Sequence, residues 1–326
     1  MRRRIDIHEA RAMLLSRQQL LGSGITERQL GADLAANRLI RLHRGTYVSA
    51  KQWNELWWEG QHLLKVLAVH AASSGSGPVF THASAAVLWG LPLYRMGEMP
   101  VQVLVQGRRH SRVIAGVVRR DMQVDEDDIV EVDGIRVTSL IRTVMDVART
   151  CPFTTAVGCA DAALRRAAVT GYIVDADAEA QWREDAGRVA APGLRGVRQA
   201  RRALEFADGR AQLPGESVSR VHLHTLGFSG YDLQVPVTGS AGDQYWLDFA
   251  FPRARTFGEF DGEGKYTDQS LRVAPSAHEA VLNEKNREDD VRGVTGWRFA
   301  RWGHQHIRTA DDLGWRLAAF GLRPHG

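Results

Sequence analysis

Residues 244–266, QYWLDFAFPRARTFGEFDGEGKY, carry three carboxylates, Asp248, Glu259 and Asp261, inside what otherwise reads as two apolar strands. Leu247, Phe249 and Phe251 alternate with Trp246, Asp248 and Ala250, the two-residue period of a strand. Pro252-Arg253-Ala254-Arg255 breaks that period before extended character resumes from Phe257 to Asp261, so the pattern predicts a hairpin. With the turn centred on Arg253 and Ala254, Asp248 faces Glu259, and Asp261 projects from the same side as Glu259. Facing residues on neighbouring strands stand about 4.5–5.5 Å apart at Cβ, and like charges there destabilise by up to about 1 kcal/mol unless a cation lies between them. A divalent ion would serve: Mg²⁺, or Mn²⁺ in its place, binds through one or two carboxylates together with water and phosphate. The plainer alternative is a set of solvated acids on the outer face of an edge hairpin, where charge deters aggregation.

Upstream, PGESVSRVHLHTLGF at 214–228 opens with Pro and Gly and runs into a helical pattern of Val218, Val221, Leu223 and Leu226, with Gly227 as its stop. Glu216 falls in the first turn, where the helix dipole favours a carboxylate by about 0.3–1 kcal/mol, and that alone gives it a structural reason. Downstream, the run NEKNREDDVRG reads as a polar helix whose Glu284, Arg287 and Glu288 form a solvated face of i,i+3 and i,i+4 pairs. WRFARW alternates as another strand, and HQHIRTADDLGWRLAAF as a last amphipathic helix. His304 and His306, without further ligands, read as loop rather than as a zinc site.

The order helix acid, strand Asp, ten residues, then Glu, resembles the PD-(D/E)XK nuclease fold, and within it the branch similar to very-short-patch-repair endonucleases. The resemblance implies that Glu216, Asp248 and Glu259 are metal-binding acids, and that a Glu-x-Lys element follows on the second strand. Here Asp261 stands where the family has its Lys, the group that orients the attacking water and neutralises charge developing on phosphate. Lys265, four residues beyond Asp261, and Lys285, in the polar helical run, are the substitutes at hand. The candidate catalytic set is therefore Glu216, Asp248, Glu259, Asp261, Lys265 and Lys285.

The opposite end of the chain is basic. Residues 1–50 hold nine Arg and no Lys against four acids, a net +5. Ser16-Arg17-Gln18-Gln19 and Thr26-Glu27-Arg28-Gln29 both fit the capping-box pattern, with Gly22-Ser23-Gly24 between them, so two short helices joined by a turn are expected. Leu30 and Leu34 give the second helix its buried stripe, which leaves Arg28 and Gln29 on the side open to a partner; LIRLHRGTYVSA then alternates as a two-stranded wing turning at Gly45. The expectation is a winged helix-turn-helix over residues 1–52. Its DNA contacts would come from Arg28 and Gln29 at base edges and from Arg17, Arg38, Arg41 and Arg44 at phosphates. A winged helix used for protein contacts is the alternative.

Between the ends, THASAAVLWGLPL (81–93), VQVLVQGRRHSRVIAGVVRR and IRVTSLIRTVMDVA (135–148) resemble the AbiEi-type antitoxins of bacterial toxin–antitoxin systems, over about residues 10–170. The resemblance implies an N-terminal winged helix that represses transcription, a following domain that supports DNA binding, and a nucleotidyltransferase toxin as partner. The matching elements also have a purely architectural reading: Ala85, Ala86, Leu88 and Leu91 suit a tightly packed helix, and Thr138 is placed to N-cap the helix of Ile141, Val144 and Val147. The Ala-, Gly- and Arg-rich text of 174–204 reads as a linker entering a basic helix.

Taken together, the fold class expected is α+β multidomain: winged helix to residue 52, an α/β middle domain over 53–173, linker and basic helix over 174–204, and an α/β nuclease-like domain over 205–326. With 326 residues, 44% hydrophobic and 25% charged, the chain can bury two or three cores. A pI near 9.3 favours a polyanionic partner. Cys151 and Cys159 cannot build a disulfide framework, and no apolar run reaches the length of a signal peptide or membrane span, so a cytoplasmic protein is expected. Three functions follow: a DNA-binding regulator whose nuclease-like domain merely grips nucleic acid, a Mg²⁺-dependent endonuclease targeted by the winged helix, and an antitoxin neutralising a toxin, any of them compatible with a homodimer.

Overall fold

The computed structural model describes residues 2–107, 113–190, 193–262 and 277–324. It is a mixed α and β fold with several small sheets. Two compact units emerge, Met1–Ala163 with Arg183–Phe206, and Leu164–Trp182 with Ala207–Gly326. Arg3 N donates to Glu55 O, and the N-terminal elements belong to the first unit. No helix among the described residues is long and apolar enough to cross a membrane.

The first unit begins with α1 (Ile7–Met13), β1 (Leu15–Ser16), α2 (Arg17–Gly22), α3 (Glu27–Ala35), β2 (Leu39–His43) and β3 (Thr46–Ser49). Both expected capping boxes form, Ser16 with Gln19 and Thr26 with Gln29. A third, Asp6 with Glu9, starts α1. The strands order as β1-β3-β2, and Gly45 at φ +75° makes the turn between β2 and β3. Leu20, Leu30 and Tyr47 are buried together, with Leu15, Ile25, Leu34 and Leu39 packed against them.

Next come α4 (Ala50–Asn54), α5 (Trp58–Ala71) and α6 (His82–Leu88), every residue of α6 being buried. The strands β4 (Val101–Val105), β5 (Val113–Ile114) and β6 (Val117–Asp121) order as β4-β6-β5, with β6 parallel to β4. A hairpin of β7 (Ile129–Val132) and β8 (Ile135–Thr138) turns at Asp133-Gly134, both at positive φ, the mirror-image turn that suits hairpin twist. Phe80 bridges the two ladders, to Val103 and to Val137. The helix α7 (Leu140–Thr150) packs on α6, whose Ala83, Ala85 and Ala86 are fully buried and allow the close approach. Its cap is Ser139, whose Oγ accepts from Arg142 N, and not Thr138 as expected. Thr138 ends β8 instead, where its buried Oγ1 meets Thr143 Oγ1 at 2.7 Å.

After α8 (Phe153–Ala168) come the paired β9 (Val169–Thr170) and β10 (Ile173–Val174), then α9 (Ala176–Val189) and α10 (Val197–Phe206). The stretch expected to hold a linker is thus largely helical. Alanines at 186, 190, 200 and 203 are buried there. Within the first unit, Gln199 of α10 donates to the carbonyls of Ala148 and Cys151.

The second unit is built on α11 (Pro214–Thr225) and the strands β11 (Asp232–Thr238), β12 (Gln244–Phe251) and β13 (Thr256–Asp261), followed by α12 (Ala277–Thr295), β14 (Arg298–Gly303) and α13 (Ala310–Ala318). The sheet orders as β11-β12-β13-β14, antiparallel up to β13 and parallel between β13 and β14, which α12 connects. Leu247, Ala250, Phe257, Val291 and Phe299 form its core between sheet and α12. Two glycines set the spacing: a Cβ at Gly215 would lie 2.0 Å from Phe260, and one at Gly258 would lie 2.5 Å from Trp302. Trp302 is fixed in turn by its indole N–H, which donates to Ser219 Oγ of α11 at 2.8 Å.

Candidate functional site

The hairpin register is the one the alternation predicts: Phe249 faces Gly258, Ala250 faces Phe257 and Phe251 faces Thr256. The paired ladder ends there, one step short of Asp248 and Glu259. Their surroundings differ from the expected outer face. Asp248 is 8% exposed and Glu259 1% exposed, so these are interior carboxylates and not solvated ones. Asp248 Oδ2 accepts from the backbone N–H of Phe260 at 2.8 Å.

The positive charge at Glu259 comes from Arg287 of α12, whose Nη2 donates to Glu259 Oε2 at 3.1 Å. The same guanidinium holds Glu284, with Nε to Oε2 at 3.1 Å and Nη2 to Oε1 at 2.8 Å. Asp261 accepts from Arg301 Nη1 at 3.1 Å, and Arg301 of β14 also grips Glu288 through Nε at 3.0 Å, and Glu284. Burial works against charge on both arginines, yet the carboxylates around them outweigh it and raise their pKa values. Burial likewise would raise Glu284, but Arg287 and Arg301 pull it down to about 2. The residues read as a solvated helix face thus partly turn inward, because the sheet offers them a buried acid to neutralise.

Glu216 stands in the first turn of α11 as expected, though 2% exposed. Its Oε2 accepts from Gln212 N at 2.9 Å and from Gln234 Nε2 at 3.2 Å. Gln234 is buried at φ +48°, a conformation uncommon for a side-chain-bearing residue, and the flanking pairs Leu233–Phe249 and Val235–Leu247 set it opposite Asp248. The structure therefore brings Glu216, Gln234, Asp248 and Glu259 onto one helix end and three adjacent strands. Gln212, Gln234 and Arg301 were missed in the sequence. The sequence marks Gln234 only as an amide on the strand side opposite Leu233, Val235 and Val237.

Each of the three acids, Glu216, Asp248 and Glu259, is met by a protein donor. No three His, Cys, Asp or Glu side chains among the described residues converge closely enough to ligate one ion. Glu259 is held by a guanidinium and Asp248 by a backbone N–H. Of the two lysines offered in place of the missing one, Lys285 is exposed on α12, and Lys265 lies outside the described residues. His306 Nδ1 accepts from Gly303 N at 3.0 Å and His304 packs edge-on against the Phe260 ring, both local roles.

At the N-terminal elements, Arg17 pairs with Glu27, and Arg38 donates from Nε to Asp33 Oδ1 at 2.7 Å. Arg28, Arg41 and Arg44 are exposed and make no ion pair among the described residues. Gln29 is already engaged: its Oε1 accepts from Thr26 N at 2.8 Å and from Thr26 Oγ1 at 3.0 Å. Reading an adenine edge uses the amide oxygen as well as the nitrogen, so the capping bonds and the expected base contact draw on the same atom.

No family model matches the chain. Two proteins of Mycobacterium tuberculosis, uncharacterized protein Rv2248 of strain ATCC 25618 / H37Rv and uncharacterized protein MT2308 of strain CDC 1551 / Oshkosh, are each 27% identical over 283 residues, covering 85% of this chain and 96% of theirs. Among solved structures, the RV2827C protein from Mycobacterium tuberculosis aligns over 66% of this chain and 78% of its own, at 15% identity and a TM-score of 0.35. The 283 residues matched in the first two exceed either compact unit, so their similarity to this chain runs through both.

Proposed function

We propose that this protein is a DNA-binding regulator of the antitoxin type, with a nuclease-like C-terminal unit that holds nucleic acid without cutting it. The observation that carries the reading is the N-terminal arrangement. The order α1-β1-α2-α3-β2-β3, with the sheet β1-β3-β2, supports a winged-helix reading, and Arg28 on α3, Arg41 on β2 and Arg44 in the β2–β3 turn are exposed arginines without acidic partners among the described residues. A helix of this kind fits the major groove, and flanking arginines supply the phosphate contacts that make affinity salt-dependent. The chain's pI near 9.3 agrees with a polyanionic partner. The test is binding of labelled duplexes, including the DNA upstream of the protein's own reading frame, across a salt series. Arg28→Ala should weaken the preferred duplex by roughly 1–3 kcal/mol, while Arg44→Ala should weaken all duplexes alike and flatten the salt slope. Wild-type behaviour of both variants on all duplexes removes the reading.

A second reading, a Mg²⁺-dependent endonuclease, is favoured by the buried Glu216, Asp248 and Glu259 on the helix end and strands where such enzymes carry their metal acids. Against it stand Arg287 on Glu259 and Asp261 in place of Lys. Incubation with supercoiled, linear and single-stranded DNA and with RNA, in Mg²⁺, Mn²⁺ or EDTA, separates the two: binding without cleavage is expected. Where a nucleotidyltransferase is encoded beside this chain, its co-purification tests the antitoxin partner.

A further inference from the structure

A second buried cluster joins the stretches THASAAVLWGLPL and IRVTSLIRTVMDVA, and its charges do not balance. Thr81 Oγ1 lies 3.0 Å from His82 Nδ1 and 3.4 Å from Asp146 Oδ2. Asp146, wholly buried, takes Arg142 Nε at 3.1 Å and Arg149 Nη1 at 3.4 Å. Arg142 also comes within 4.0 Å of Asp128. His82 opens α6 at φ +53°, a left-handed conformation that an ordinary residue seldom holds, and such outliers gather at binding sites.

The third arginine is Arg120. Met122 prolongs the β6 ladder by its N–H to Val105 O, and its Sδ lies 3.8 Å from Thr81 Oγ1. Residues two apart on an extended chain point to the same side, so Arg120 faces the cluster, whereas Arg119 and Asp121 are exposed on the other side. Arg120, Arg149 and Arg142 all bear on the His82 imidazole, which burial first and these charges second lower to about 3; it is neutral at pH 7 and adds no charge. The Arg120 Nε is buried and has no hydrogen-bond acceptor, and among the described residues Arg120 has no ion pair. Three guanidiniums thus face one buried carboxylate and a second at the margin. A buried donor of this kind without an acceptor is costly, and a guanidinium's planar fork of donors matches the oxygens of a phosphate.

We propose that Arg120, Arg142 and Arg149, with the Thr81 hydroxyl, form a binding site for a phosphate-class oxyanion. Arg142 and Arg149 keep 11% and 15% of their side-chain surface exposed, which leaves an entry from solvent. The anion completes the set by taking the Arg120 Nε–H and offsetting the surplus charge, while Asp146 keeps Arg142 and Arg149 in place. Two sources carry this chemistry, a free phosphate or phosphate monoester and the backbone of a nucleic acid.

Inorganic phosphate is the first probe, because it tests the site independently of any DNA reading. In the full-length protein, phosphate should raise the melting temperature in a saturable manner above potassium chloride of equal ionic strength. Arg120→Gln should weaken that response about tenfold or more, the scale of one charge-assisted hydrogen bond, Arg120→Lys should keep part of it, and Arg119→Gln, on the exposed side, should keep all of it. Absence of a phosphate-specific rise, or an equal rise in Arg120→Gln, overturns the proposal and means that water satisfies the Arg120 Nε. Circular dichroism of each variant confirms folding, and Arg120→Lys serves if the Gln variant does not fold. With phosphate binding in hand, the source is read from duplex affinity in Arg120→Gln: a loss assigns the site to a nucleic-acid backbone, and no change assigns it to a free phosphate compound.

Discussion

Each unit buries a carboxylate against guanidiniums, and the two clusters have opposite surpluses. Around Asp146 three arginines face one interior acid, with Asp128 at the margin. Around Arg287 and Arg301 the acids are in excess, with Glu259, Asp261, Glu284 and Glu288 sharing these two guanidiniums and Glu288 also pairing with Arg292. A buried ion pair taken alone is weak evidence for either stability or function, because desolvation offsets much of the attraction. The sign of what is left over is more informative. An excess of guanidinium calls for an anion, whereas the carboxylates in excess around Glu259 already hold Arg287 and Arg301.

The sharpest break in this comparison comes from removing one member at a time. Asp146→Ala leaves Arg142 and Arg149 without their buried acid, and Arg287→Met leaves Glu259 as an uncompensated interior charge; each should cost about 3–5 kcal/mol in denaturant unfolding. Adding Glu259→Gln to Arg287→Met should recover a large part of the loss, because the stranded charge goes with it. A double variant as unstable as the sum of its singles would show that the two residues act separately, and the pairing would be discarded.

Acid should separate the clusters by pH. The His82 imidazole has its folded pKa lowered to about 3, so its contribution is complete above about 6.5 and is lost progressively as pH falls from there toward 3. Glu284, lowered to about 2, begins to lose its contribution only below its ordinary 4.5. Melting temperature should therefore start to decline near pH 6.5, ahead of the carboxylate range. His82→Asn should remove much of that early slope, since Asn tolerates a positive φ and does not titrate. His62, also lowered to about 4 by burial, retains the remainder.

What was legible in the sequence follows from how far apart the interacting residues lie. Capping boxes at Ser16 and Thr26 and the 249–258 register rest on local spacing, and each is found as read. The burial of Glu259 was not legible, because its partner Arg287 is 28 residues away on a helix whose own i,i+3 pairing looked sufficient. Gln234 reaches Glu216 across 18 residues, a contact that exists only after β11 and α11 have packed. The cap at Ser139 in place of Thr138 is a one-residue matter, decided by β8 needing Thr138 as its last member.

Glycine substitutions probe the units at a smaller scale. Gly215→Ala forces a Cβ against the Phe260 ring in a packed core and should destabilise the second unit by about 1–3 kcal/mol. Gly31→Ala, in α3 with open space around its Cα, should instead stabilise by about 0.5–1 kcal/mol through helix propensity. Equal melting of Gly215→Ala and wild type would mean that α11 and β13 are less closely apposed than described.

The smallest effect decides what Gln29 does. If its amide oxygen serves Thr26, then Gln29→Ala should cost about 0.5–1 kcal/mol of stability, in the range of a weakened cap, and leave the ranking of DNA sequences unchanged. Gln29→Glu preserves the capping box, since Glu is equally suited to the third helical position, while placing a negative charge wherever Gln29 would meet nucleic acid. Stability close to wild type together with unaltered duplex affinity fixes Gln29 as a capping residue away from the groove. A folded Gln29→Glu variant that loses DNA binding would return Gln29 to the DNA-facing surface beside Arg28 and make its bond to Thr26 a feature of the unbound protein only.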